Sequence, residues 1–376
     1  MTRWNRPSHR FLFVVLLAVL AITNNTYNGM GKGNVVIDMH EVDVRVAIAR
    51  TNESISTTNA IPNAQPEVWL WCALIKDNSL FHHFPHTAEK CLPCWSWFQR
   101  MREMLSKDTT THCGLYLNGD LPLDPEGWAG RLVEHMGCSV TRSDPFISEN
   151  SAPTMVYHLK NNTQKPFEWF QRPEDARSLR EKVLQSINCS DINPTTQGVR
   201  IAGIDRNTRV KNRRKRVTRS LLNIANITQA LKIEFPAANV VIAYMEDMQV
   251  DEQFAFWSQH DIIVAAHGAA LTNAIFLPPG GGSAVIEIFP HHFYWTEFYA
   301  TLLKRSGLRG YGYYNNVTDI KADYAAHSRN HSDVMKYREQ NLNPPVEAIV
   351  DLVKQALADG GYGPGGERPP KVRPKP

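Results

Sequence analysis

The sequence predicts an α/β protein of two Rossmann-like domains with parallel sheets facing a cleft. Three observations carry that expectation. Short, continuously apolar runs rich in β-branched residues, such as residues 262–266, have the length and composition of strands buried on both faces. They alternate with segments of helical period, and strands that alternate with helices pair in parallel through crossover connections. The chain has 376 residues, 43% of them hydrophobic, which suffices for two ordinary domains with separate cores.

In chain order, residues 1–10 read as a cytosolic tail carrying Arg3, Arg6 and Arg10, and residues 11–22 as an apolar run. The basic flank places the remainder outside the cytosol. The run is 12 residues long, within the roughly 7–15 of a signal-peptide core and below the roughly 17–25 of a spanning helix. A cleaved signal peptide and a short membrane anchor therefore both stay open. Residues 23–66, rich in Asn, Thr and Ser, read as a stem, with one apolar-acidic stretch over 35–48 as an isolated element. The first α/β domain is expected over 67–198, with strands at 68–75, 113–117 and 155–159 and helices at 126–136 and 173–187. The second is expected over 199–345, with strands at 199–204, 240–244, 262–266 and 284–288 and helices at 224–235, 251–259 and 294–305. A helix over 346–360 precedes a Gly/Pro/basic tail at 361–376 that has nothing to bury.

Two features agree with a secretory compartment. Glycosylation acceptor patterns stand at Asn24, Asn52, Asn161, Asn188, Asn226, Asn316 and Asn330. The six cysteines, Cys72, Cys91, Cys94, Cys113, Cys138 and Cys189, are even in number and fit a disulfide framework whose connectivity spacing does not give. Cys91-Leu-Pro-Cys94 could instead be a zinc or redox pair, but no second pair follows, and His112-Cys113 is a poor substitute. With 41 basic and 37 acidic residues the net charge of +4 does not point to nucleic acid. The cluster Arg209, Lys211, Arg213, Arg214, Lys215 and Arg216 reads as a solvated loop in such a chain, with donor attraction and an anionic partner as the alternatives.

The most informative segment runs from Asp261 to Pro290. An apolar strand stops at His267-Gly268, and the small residues Gly268, Ala269 and Ala270 let a ligand approach the backbone. Leu271, Ile275 and Phe276 then fall at helical spacing before Pro278-Pro279-Gly280. A second strand follows with Glu287 near its carboxyl end, the end at which open α/β sheets bind ligands. Together with Asp251-Glu252-Gln253 upstream, the elements His267 to Asn273, Phe276 to Gly280 and Val285 to Pro290 resemble glycosyltransferase family 61. Ala270 departs from that family's second glycine by one methyl group. A weaker resemblance extends over about 169–317.

That resemblance implies a GT-B-like fold behind a single N-terminal membrane anchor, a type II orientation in the Golgi membrane, with the endoplasmic reticulum or secretion as alternatives. It implies transfer of a pentose or N-acetylglucosamine from a UDP-sugar to a glycan or glycoprotein acceptor with inversion, and no nucleic-acid partner. A departing diphosphate needs a metal or fixed cations. The sequence has no Asp-x-Asp, so a metal-independent site without cofactor is expected. Arg206, and Arg219 ahead of Asn223, match the family's two arginines, and a forked guanidinium suits a diphosphate. Gly268, Ala269 and Asn273 complete the donor loop through backbone amides at the start of its helix. Glu287 suits a ribose diol. His267 could meet a phosphate or the sugar. Inversion also needs a base, for which His267, Asp205 and Glu252 stay open. Two other classes are weighed: a hydrolase, although Gly281-Gly282-Ser283-Ala284-Val285 lacks the last glycine of a nucleophile elbow, and a non-catalytic glycan-binding protein.

The compartment is directly testable. Protease added to intact microsomes should leave residues after Thr23 undigested, and glycosidase treatment should lower the apparent mass. A cytosolic, unglycosylated product would contradict the expectation.

Overall fold

The computed structural model describes residues 35–39, 42–47, 67–74, 84–105, 107, 109–117, 123–142, 154–159, 169–189, 198–206, 218–279, 282–327 and 331–367. They form two compact units, residues 1–168 and residues 169–376. The apolar run 11–22, the basic cluster 209–216, most of the 23–66 segment and Asn24, Asn52, Asn161 and Asn330 lie outside the described residues. Among the described residues no helix is long and apolar enough to cross a membrane.

The first unit contains β1 (Val35–Met39), β2 (Val42–Ala47), β3 (Glu67–Leu74), α1 (Phe84–Met104), β4 (Thr110–Leu117), α2 (Trp128–Met136), β5 (Ser139–Thr141) and β6 (Thr154–Leu159). Its sheet runs β1-β2-β6-β3-β4-β5. The expected parallel pairing holds from β6 to β5, whereas β1 and β2 form an antiparallel hairpin whose second strand pairs antiparallel with β6. Residues 35–39 and 42–47 are therefore an edge of this sheet and not an isolated element of a stem.

Helix α1 was not expected. Pro93 interrupts its amide ladder, and its apolar positions are spread too widely for a clear stripe. Tertiary contacts hold it: Leu92, Trp95 and Phe98 are buried, and the Cys72–Cys94 disulfide fastens it to β3. A second disulfide, Cys113–Cys138, joins β4 to the start of β5. Cys94 thus pairs with Cys72 and not within a Cys-x-x-Cys motif, while Cys91 and Cys189 form no disulfide. Burial pushes the Cys91 thiol up to about 12, which makes it inert at neutral pH.

The second unit contains α3 (Pro173–Ser186), β7 (Arg200–Asp205), α4 (Ile224–Glu234), β8 (Asn239–Tyr244), α5 (Val250–Ser258), β9 (Ile262–Ala266), the 3-10 helix Ala269–Phe276, β10 (Ala284–Ile288), α6 (Glu297–Arg305), β11 (Arg309–Tyr313), α7 (Ile320–His327), α8 (His331–Arg338) and α9 (Val346–Asp359). Its sheet, ordered β11-β10-β9-β7-β8, is parallel throughout. Strands β7 and β10 are buried along their whole length, which is why their sequences do not alternate. Ile262, Val264, Ala284, Ile286 and Ile288 join one core with α4 and α9. Residues between them, Glu287 included, face the opposite side by strand parity.

Helix α3 belongs here and not with the first domain as expected. Buried Arg180 donates from Nε to the Phe276 carbonyl at 2.9 Å, and Trp169 Nε1 donates to the Phe298 carbonyl at 3.2 Å. The segment after His267 winds as a 3-10 helix and not an α-helix; Leu271, Ala274 and Leu277 recur every three residues, while Leu271 and Ile275 stand four apart.

At the amino ends of β7 and β9, Asp261 accepts from Arg200 Nη2 at 2.7 Å, Nε at 3.0 Å and the Arg200 backbone amide at 2.9 Å. Both residues are buried. Asp261→Ala would leave a guanidinium uncompensated in the core and should cost about 3–5 kcal/mol, read by urea unfolding. Replacing both residues by apolar ones should cost less, and a loss below about 1 kcal/mol for Asp261→Ala alone would show that the pair is not closed to water.

Candidate functional site

The carboxyl ends of β7, β9 and β10 bring most of the expected site residues together. Strand β7 ends at Asp205 and hands on to Arg206, β9 hands on to His267, and Glu287 is the penultimate residue of β10. His267 is tied to β10 twice. Its amide donates to the Ile288 carbonyl at 2.9 Å, and its Nδ1 lies 2.6 Å from Glu287 Oε1. Both side chains are buried, 6% and 7% exposed. With Nδ1–H donated to the carboxylate, Nε2 keeps its lone pair. The ring stacks on Phe289 and meets the edges of Phe293 and Tyr299, with centroids 5.3–5.4 Å away. Burial pushes the Glu287 carboxyl up, and the His267 hydrogen bond opposes that shift.

Two cations converge on Gly268. Arg219 Nη1 donates to the His267 carbonyl at 3.1 Å. A Cβ on Gly268 would stand 3.2 Å from Arg219 Nη1 and 3.4 Å from Arg206 Nη2. Among the described residues no carboxylate forms an ion pair within 4.0 Å of either guanidinium. Burial pulls Arg206 down, and burial together with the Arg206 charge pulls Arg219 down to about 9. Arg338, at the end of α8, adds a third positive charge felt by both. Glu246 and Asp205 offset the shift of Arg206, and Glu339 that of Arg219, only from beyond ion-pair distance; desolvated, like-charged guanidinium groups with no carboxylate in contact among the described residues have the character of an anion site.

Arg219 holds its place through its neighbours. It adopts a left-handed backbone, φ 62°, on the order of 1 kcal/mol of strain for a residue with a Cβ. Asp205 stabilises that turn, accepting from the Leu221 amide at 2.8 Å and from Ser220 Oγ at 3.0 Å. Ser220 and Leu222 also exchange backbone bonds with Leu342. Asn223 stands at the head of α4 as expected, yet its Nδ2 donates to the Pro344 carbonyl at 2.6 Å and does not cap the helix.

Other expected residues serve the frame. Asp205 is buried against the backbone it supports, so its carboxylate is occupied. Glu252 closes the capping box of α5 from an exposed position, its Oε2 accepting from the Gln249 amide at 2.8 Å. Neither is brought against His267. Asn273 is fully buried and donates to Gln253 Oε1 at 3.2 Å, while Gln253 donates to the Met245 and Met248 carbonyls. The glutamine of Asp251-Glu252-Gln253 therefore anchors the donor loop from behind. Ala269 is half-buried beside Gly268. Ser283 is buried and donates to the Pro278 carbonyl at 2.7 Å, so it is no free nucleophile. Beside Glu287 a cavity of about 260 Å³ is lined by Thr296, Thr301, Lys304, Tyr311 and Tyr314.

Sequence reasoning missed Arg338 and the aromatic walls. Only the aromatic richness of Phe289 to Trp295 could have signalled the latter. At Gly268 φ is 167°, extended backbone open to any residue. The glycine is required for space. Gly268→Ala should therefore fold normally but push Arg219 Nη1 off its position, and Gly268→Val should push it further. Calorimetry beside a thermal melt should show UDP affinity falling at least about tenfold for Val, about 1.4 kcal/mol, with an almost unchanged melt. Equal affinity in parent and Val variants would place the anion elsewhere.

No curated protein matches the chain. The family model described as Glycosyltransferase 61 matches residues 82–286, more than half of the 376 residues. The matched span contains Arg206, Arg219, His267, Gly268 and Asn273 and ends one residue before Glu287. With its parallel α/β sheet and its paired arginines at the strand ends, the chain belongs to glycosyltransferase family 61 and is a glycosyltransferase.

Proposed function

We propose that this glycosyltransferase is a GT-B-like pair of α/β units that moves a pentose or N-acetylglucosamine from a UDP-sugar to a glycan or glycoprotein acceptor, with inversion, in the Golgi lumen. The observation that carries the donor half is the convergence of Arg206 and Arg219 on Gly268, with Arg338 behind them. A diphosphate accepts forked hydrogen bonds from guanidinium groups, and its charge grows as the glycosidic bond breaks. Fixed cations in a dry site stabilise that charge more in the transition state than in the ground state. The nucleoside would extend toward the cavity beside Glu287. The lumenal location is supported by two disulfides, which persist in oxidising compartments, and by the exposed acceptor asparagines Asn188, Asn226 and Asn316.

His267 is the best-supported base. Of the three candidates it alone joins an imidazole lone pair to a carboxylate that fixes its tautomer, whereas Asp205 and Glu252 are engaged with backbone amides. In the reaction Nε2 takes the proton of the acceptor hydroxyl as its oxygen attacks the anomeric carbon and the bond to UDP breaks. Glu287 stabilises the imidazolium that forms. The carboxylate expected to meet a ribose thus acts through His267.

Kinetics of two variants test these roles. His267→Gln should lower kcat by about 10²–10⁴ with little change in UDP affinity. Arg219→Ala should weaken UDP binding by about 2–5 kcal/mol. For the parent, UDP affinity should fall as pH rises through about 9, the value to which burial and Arg206 pull Arg219, because deprotonation removes the charge that binds the diphosphate. A parent whose affinity is flat over that range, or an Arg219→Ala variant that binds UDP as tightly, would remove the arginines from the donor site.

A further inference from the structure

Beyond the donor site, the connection after β10 meets α7 at a cluster of three side chains, His292, Asp323 and His327. One potential ligand atom from each lies within 4.8 Å of the others. His292 Nδ1 is 2.8 Å from Asp323 Oδ2, and His327 Nδ1 is 3.5 Å from Asp323 Oδ1. The two imidazoles stack at 3.7 Å between centroids, 21° apart. Tyr337 of α8 closes the cluster edge-on to both rings, at 5.0 Å and 5.6 Å. His292 reaches it from a left-handed backbone, φ 64°, and Asp323 and His327 share one helix face through their four-residue spacing.

We propose that His292, Asp323 and His327 form a binding site for a divalent transition metal, zinc by preference, that fastens α7 and α8 to the connection after β10. Two imidazoles and one carboxylate suit zinc and its neighbours and do not suit calcium or magnesium, which take oxygen cages. Ligands around tetrahedral zinc, bound at about 2.0–2.2 Å, stand about 3.4 Å apart, so rotamer adjustments of about 1 Å complete the triangle. The outer layer is in place for His327. Its Nδ1 donates to the Asp323 carbonyl at 2.8 Å, which leaves Nε2 for the metal and fixes the ring. The side chains are 21%, 16% and 34% exposed, open enough for an ion to arrive with a water as fourth ligand.

The site is separate from the chemistry of the diphosphate, which Arg206 and Arg219 hold, and its role is structural. Phe293, next to His292, meets the His267 ring and also the edge of Tyr324 in α7. Arg338 follows Tyr337 in α8. A metal clip here would hold both the aromatic wall of His267 and the third cation of the donor site.

The test uses the full chain, stripped with chelator and dialysed, then titrated with zinc chloride by calorimetry and with cobalt chloride by visible absorption. The parent should bind one equivalent of zinc, melt at a higher temperature with zinc than without, and show the intense cobalt absorption of a four-coordinate site. Asp323→Asn and His327→Gln should each bind zinc at least about 30-fold more weakly and lose the zinc-dependent rise in melting temperature. A metal-free melt of each variant within a few degrees of the metal-free parent shows that folding is retained. Should one variant fail to fold, the other and the cobalt spectrum of the parent decide. Parent and folded variants that bind zinc alike, a parent that binds none, or a six-coordinate cobalt spectrum would each overturn the proposal.

Discussion

The 2.6 Å contact between His267 and Glu287 is the interaction on which the site depends. It closes the carboxyl ends of β9 and β10, two central strands that are wholly apolar below it. There the first side chains able to carry charge stand in a dry place and have to satisfy one another. Pairing them fixes more than two residues. The His267 carbonyl becomes the acceptor for Arg219, the ring becomes the floor for Phe289, Phe293 and Tyr299, and the backbone leaves the strand extended at Gly268. A local hydrogen bond thus positions cation, aromatic wall and loop at once, which is how a site held by rigid strands attains the tolerance that chemistry requires.

Charge supplies the second half of the argument. Buried guanidinium groups usually meet carboxylates, as Arg200 meets Asp261 at the opposite end of the same strands. Arg206 and Arg219 instead both reach Gly268, and burial together with the Arg206 charge lowers Arg219's hold on its proton. One sheet therefore carries an arginine paired with a carboxylate at its amino edge and, among the described residues, arginines in no carboxylate ion pair at its carboxyl edge. Under the function proposed above the difference has a purpose, because an enzyme that neutralised these cations internally would have to break that pairing each time a diphosphate arrived. Preorganised positive charge costs folding stability and gives it back as transition-state stabilisation.

The carboxyl-edge strands were legible in the sequence because their signals are local. Residues 262–266 and 284–288 are apolar runs ended by small residues or proline, and the structure places strands at those bounds. What failed was nonlocal. The hairpin of β1 and β2 gains its place from β6, more than a hundred residues later. Helix α1 contains a proline that a sequence reading takes as a breaker, and its disulfide to β3 overrides that signal. The winding after Gly268 was misread because its apolar residues serve a three-residue period as well as a four-residue one. Within the site, motif and spacing found Arg206, Arg219, His267 and Glu287, while Arg338 carries no motif and arrives by the packing of α8.

The three carboxylates weighed at the outset show how position decides role among chemically equal groups. Asp205 ends a buried strand, so its oxygens meet the unpaired amides of the turn that follows and are consumed there. Glu252 falls at the third position of a helix, where a carboxylate closes a capping box in water. Glu287 sits one residue before the end of a strand, on the face opposite the aliphatic core, with an imidazole as its hydrogen-bond partner. Only there do burial and an adjacent proton acceptor coincide. A carboxylate in that position holds the imidazole it faces in one orientation and one tautomer, with Nδ1–H donated and Nε2 turned away from the carboxylate. The strand end that makes Glu287 costly to keep ionised is thus the same one that fixes His267, and on the function proposed above that ring takes the acceptor proton.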